Sequence, residues 1–147
     1  MTSTQSAVTL DVAREIVAGA RRAGRGQGWN PLSVVVLDAG GHITAFERED
    51  GSSNMRFQIA FGKAHGALAL GIGSRALMAR AETQPYFIAA ATAAIGGALV
   101  PVPGGVLIAD DQGHTIGAVG VSGETSDNDE AAAVAGITGA GYQAVTG

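Results

Sequence analysis

The chain has no cysteine, which excludes disulfides, thiolate nucleophiles and thiolate-ligated metal clusters. Aromatic residues are scarce, with one Trp, two Tyr and four Phe. Trp29, Tyr86, Phe87 and Tyr142 are candidates for stacking on a flat ligand, although core or subunit contacts account for most aromatics in so poor a set. Nine Lys and Arg stand against thirteen Asp and Glu, for a net charge of −4. They form no basic stripe, so nucleic acid is excluded as a partner. Polar residues and glycines interrupt every apolar run before it reaches the length of a membrane span, and the start lacks the basic and apolar regions of a signal peptide. A soluble, cytoplasmic protein is expected.

Glycine, in contrast, is abundant at 23 residues. The glycines fall at turns and inside apolar segments, a distribution that indicates close backbone packing and not a flexible linker. The length of 147 residues suits one domain, which is about 100–150 residues in the commonest case. We assign residues 1–8 to a flexible N-terminus and 9–147 to the domain.

Thr9 is placed to cap a first helix with Leu10, Ala13, Ile16, Val17 and Ala20 on one face, and Gly24, Gly26 and Gly28 are expected to stop it. The β-branched run Leu32 to Leu37, the turn residues Asp38 to Gly41 and the segment His42 to Arg48 predict a β-hairpin. Its continuous valines imply a strand covered on both faces. After a polar turn at Glu49–Ser53, helices are predicted from about Asn54 to Leu70, Ser74 to Ala81 and Pro85 to Ile95. A second hairpin follows, Val106 to Ala109 and Thr115 to Val121, and a last helix runs from near Asp127 to about Ala140. The result is an α/β (α+β) domain with a central, mainly antiparallel sheet of four to five strands flanked by helices. No internal repeat is evident.

Among candidate site residues, Arg56 and Lys63 lie two helical turns apart, which puts both cations on one face about 10 Å apart. Such a face suits a carboxylate; it equally suits an ion-paired surface. Asp50, Asp127, Asp129 and Glu130 are the acids available to meet those cations, although acids at a helix start commonly serve the helix dipole. The histidines are His42, His65 and His114. Any of them offers an imidazole nitrogen to a transition metal such as iron, but His42 and His114 fall in hairpin turns, where exposed histidines are usual. His65, on a different face from Lys63, is the preferred one. No pair has the spacing of a mononuclear zinc site. Gly71–Ala76 matches G-x-G-x-x-A but follows a helix, not a strand, which argues against a dinucleotide. Gly120–Gly123 lacks nucleophile-elbow spacing, so Ser122 reads as a strand-end residue. Pro101, Pro103, Gly104 and Gly105 make a rigid turn whose amides either line a pocket or only redirect the chain.

Several of these segments together, Val36–Ile43, Ile59–Ala64, Pro101–Val106, Thr115–Gly123 and Asp127–Glu130, resemble the GlcG/HbpS-like family over about Leu10 to Tyr142. The resemblance implies the α/β fold, a homo-oligomer and a haem or other small-molecule ligand, with haem degradation as an activity. It also supports Lys63, at a helix position where the family carries lysine, and Glu130, after the Gly-Val-Ser-Gly strand end. The site set is then Lys63 and Glu130 as catalytic residues, with Asp50, Arg56, Lys63, His65, Gly104 and Gly105 for the ligand. Two alternatives stand beside haem binding: a cofactor-independent enzyme or binder for a small organic acid, in which Arg56 or Lys63 holds the carboxylate and Glu130 or Asp50 moves a proton, and a non-catalytic accessory subunit.

Overall fold

A computed structural model describes residues 7–147. The flexible terminus assigned to residues 1–8 falls mostly outside them; Val8, within them, is buried against the main core. The elements run in the order α1 (Leu10–Gln27), β1 (Ser33–Asp38), β2 (Ile43–Arg48), α2 (Arg56–Leu70), α3 (Ser74–Thr83), α4 (Pro85–Ala94), β3 (Gly105–Ala109), β4 (Thr115–Ser122), α5 (Ser126–Gly139) and β5 (Gln143–Val145). All strand pairs are antiparallel, and the sheet order is β2-β1-β4-β3-β5.

Strand periodicity sorts the buried residues into two cores. On β1, Val34 and Val36 join α1 and α5 through Ile16, Val17, Ala133 and Ile137. The intervening Val35 and Leu37 join α2 through Ala60, Ala64 and Ala67. Side chains two apart on a strand share a face, so the sheet is sandwiched between helices. The expectation that the valine strand is covered on both sides holds. A third, smaller cluster of Leu77, Ile88 and Leu99 carries α3 and α4.

The first and last helices start at hydroxyl caps. Thr9 Oγ1 accepts from the Val12 amide and Thr125 Oγ1 from the Asn128 amide, both at 3.2 Å, so the last helix begins a residue ahead of Asp127. The first helix continues through Gly24 and Gly26 and ends only at Gly28, whose left-handed φ of 69° closes the C-cap. Gly24 serves packing instead: a Cβ there would stand 2.6 Å from Leu32 Cδ1. The turn expected to be merely polar has a buried anchor, since Glu49 accepts from the Leu32 amide at 2.7 Å and Arg21 Nε at 3.1 Å. The sequence reading also missed β5, whose three residues pair with β3.

The approach of α2 to β4 sets the thickness of its layer. Ala118, Gly120 and Ser122 alternate on the β4 face toward α2, and a Cβ on Gly120 would lie 2.0 Å from Ala60 O. Alanine at position 120 therefore has to push the helix off the sheet. Gly120→Ala is expected to lower unfolding stability by at least about 1–3 kcal/mol, the usual cost of overpacking, as measured by urea denaturation.

Candidate functional site

Lys63, the chain's only lysine, points from α2 into the interior with its side chain 2% exposed. Its Nζ donates to Val121 O and to Asp129 Oδ2, each at 2.9 Å. The other Asp129 oxygen accepts from the Glu124 amide at 2.9 Å. One buried ion pair thus joins α2, β4 and the start of α5. Burial pushes the Lys63 ammonium below its ordinary range, against the opposing pull of Asp129. Burial likewise pushes the Asp129 carboxyl up, against the pull of Lys63.

Gly104 and Gly105 pack directly on this lysine. Gly104 has φ of 124°, a conformation open to glycine, and a Cβ there would stand 2.8 Å from Lys63 Nζ. A Cβ on Gly105 would fall 2.2 Å from Lys63 O, and the Gly105 amide donates to Ser74 Oγ at 2.7 Å. Both residues are buried.

The remaining acids go elsewhere. Glu130 accepts from Arg75 Nε at 3.0 and 3.2 Å, and Asp127 pairs with the same guanidinium. Asp50 is exposed, beside Arg21, Arg25, Pro31 and Glu49 at a shallow cleft of about 220 Å³. The structure therefore does not join Lys63 to Glu130 or Asp50; it joins Lys63 to Asp129. Arg56 shares the sheet-facing side of α2 with Lys63, as its spacing implies, and reaches Ser122 Oγ at 3.1 Å.

His65 sits on a different side of α2. Its Nδ1 lies 2.8 Å from Ala98 O; a carbonyl only accepts, so Nδ1 carries the proton. In the neutral ring this fixes the tautomer and leaves the Nε2 lone pair for an external partner. The ring borders a cleft of about 140 Å³ with Ala39, Gly40, Gly41, Leu68 and Ala69. It also ends an aromatic row. His65 stacks on Phe61 at 5.2 Å, Phe61 on Phe57 at 5.7 Å, and Phe57 meets Phe46 edge-on at 4.8 Å. All four are half-buried. The sequence signal for this row was available: Phe57, Phe61 and His65 recur every fourth residue, the spacing that puts side chains on one helix face.

The other two histidines occupy equivalent turns of the form Asp-x-x-Gly-His. Asp38 Oδ1 accepts from the amides of Gly40 and His42, and Asp110 Oδ1 from those of Gln112 and His114. His42 and His114 have side chains 79% and 73% exposed, each turned back toward its aspartate. Among the described residues, no group of three His, Asp or Glu side chains is placed to hold a metal ion. No described helix is long and apolar enough to cross a membrane.

The fold is similar to that of several solved structures. One is PduOC in complex with haem, which has a TM-score of 0.82 at 23% identity over 92% of this chain and 96% of that one. A double mutant of HbpS from Streptomyces reticuli has 0.77 at 25% identity over 94% and 89%. Protein ORFY from Klebsiella pneumoniae has 0.79 at 23% identity over 94% and 94%. No curated protein sequence matches. The family model for "Haem degrading protein HbpS-like" matches residues 8–138, and the chain belongs to that HbpS-like family.

The buried pair generates a direct test. Lys63→Met or Asp129→Leu alone strands a charge and is expected to cost about 3–5 kcal/mol, whereas the double replacement by apolar residues is expected to recover much of that loss. Denaturant unfolding of the three variants checks it.

Proposed function

We propose that this protein binds haem or a closely related tetrapyrrole, which His65 would hold by offering its Nε2 to the iron. The observation that carries the reading is the Nδ1 hydrogen bond to Ala98 O, which orients an imidazole with its second nitrogen unpartnered among the described residues. A macrocycle supplies the equatorial nitrogens itself, so one well-oriented imidazole suffices and a cluster of protein ligands is not required. The half-buried row of Phe57 and Phe61 supplies apolar, flat surface next to that nitrogen. The cleft at His65 is too small to enclose a porphyrin, so the bound group would keep one side open to solvent or to a second subunit. The haem named in the PduOC complex and the description of the family support the same ligand class.

Self-association belongs to this proposal, as does a cytoplasmic setting. Helix α4 has no charged residue and buries only Ile88, while Tyr86 is 70% exposed. Its alanines permit a second copy to approach closely, so we assign α4 to a contact between copies.

Hemin titration followed by Soret absorbance is expected to give a saturable, stoichiometric band that His65→Ala removes and that His42→Ala and His114→Ala retain. Retention in His65→Ala, or absence of a specific band in the unaltered protein, would overturn the assignment. Degradation is read in the same cuvette as loss of the Soret band on adding ascorbate in air. Light scattering tests the contact: a paired change of Tyr86 and Ala90 to Asp is expected to lower the assembly mass.

A further inference from the structure

Three arginines are half-buried, Arg21, Arg56 and Arg75. Arg21 is held by Glu47 and Glu49, and Arg75 by Asp127 and Glu130. Arg56 meets hydroxyls only: Nε donates to Ser53 Oγ at 2.9 Å and Nη1 to Ser122 Oγ at 3.1 Å. These bonds fix the guanidinium plane and use two of its five donors, leaving three unassigned.

Among the described residues no carboxylate forms an ion pair with Arg56. Lys63 pairs with Asp129 at 2.9 Å. Glu124 accepts only from neutral groups, the Asn30 and Thr125 amides and Asn128 Nδ2, and so keeps its negative charge beside the cleft. Arg48 adds a second cation there, donating to Ser52 O and Ser53 O. Arg56 also lines a cleft of about 250 Å³ with Asn30, Pro31, Gly51, Ser52, Ser53 and Gly123. That volume is below the roughly 300–1,000 Å³ of sites for drug-sized ligands.

From the charge, the fixed donors and the size, we infer that this cleft is a binding site for a small organic monocarboxylate, with Arg56 gripping the carboxylate. A planar guanidinium with parallel N–H groups matches a carboxylate in two-point contact. Ser53 accepts from Arg56 and keeps its own proton for the ligand. The Glu124 carboxylate beside the cleft repels the dianionic form of phosphate more than a monoanion. The site lies at the N-terminal end of α2, more than two helical turns before His65, and does not depend on haem.

The test is calorimetric titration of the full chain with lactate, pyruvate and benzoate, alongside the matching amides and inorganic phosphate. At least one carboxylate is expected to bind saturably at up to millimolar concentration, its amide not at all, and Arg56→Gln to weaken it roughly tenfold or more, the range for a lost charge-assisted contact. Binding of phosphate in preference to every carboxylate, equal binding by Arg56→Gln, or no saturable binding would overturn the proposal. Should Arg56→Gln not fold, amide chemical shifts of the unaltered protein decide: carboxylate-dependent changes confined to Gly51, Ser52, Ser53 and Gly123 support the site, and changes elsewhere or none refute it.

Discussion

The close seating of α2 on β4 is the constraint on which the rest of the molecule depends. A helix can approach a strand this closely only where the strand offers little side chain, and β4 offers Ala118 and Gly120 there. At that distance the Lys63 stem crosses the layer and its ammonium reaches the far edge of β4 and the first turn of α5. The ion pair stabilises the arrangement less through its own strength than through the cost of breaking it, because either charge left alone would be buried without a partner. It therefore specifies register: α2 can neither slide nor rotate without stranding one of the two charges.

Much of the fold could be read from local pattern. Thr9, the two hairpins and the valines of β1 signal themselves through periodicity and turn chemistry, which depend on neighbours in sequence. Three features could not be read that way. β5 is too short to show alternation and exists because β3 presents an edge to it. Glu49 resembles a turn residue until α1 and the Leu32 amide converge on it. Gly24 looks like a helix terminator but sits where Leu32 needs room.

The site was legible to the same degree. Arg56 and Lys63 do share a side of their helix, as their spacing of seven implies. What spacing could not give is the partner of each, since Asp129 lies 66 positions from Lys63 and Ser122 lies 66 from Arg56. Such separations are closed only by the sheet. Phe57, Phe61 and His65 are within reach of a local reading, because a four-residue spacing puts their side chains on one helix face. Along α2, Arg56 and His65 are nine residues apart, about 14 Å at the rise of an α-helix. One rigid helix thus presents a cationic group at its N-terminal end and an imidazole in its C-terminal half, with a buried salt link between them.

Because Lys63 is the single lysine and is closed off on every side, its ε-amine cannot meet an acylating reagent, a cross-linker or a lysine-directed protease while α2 stays in place. Modification at that one position would require α2 to lift from the sheet. The natural sequence thus carries an internal chemical probe for the opening of its own core, with no engineered label needed.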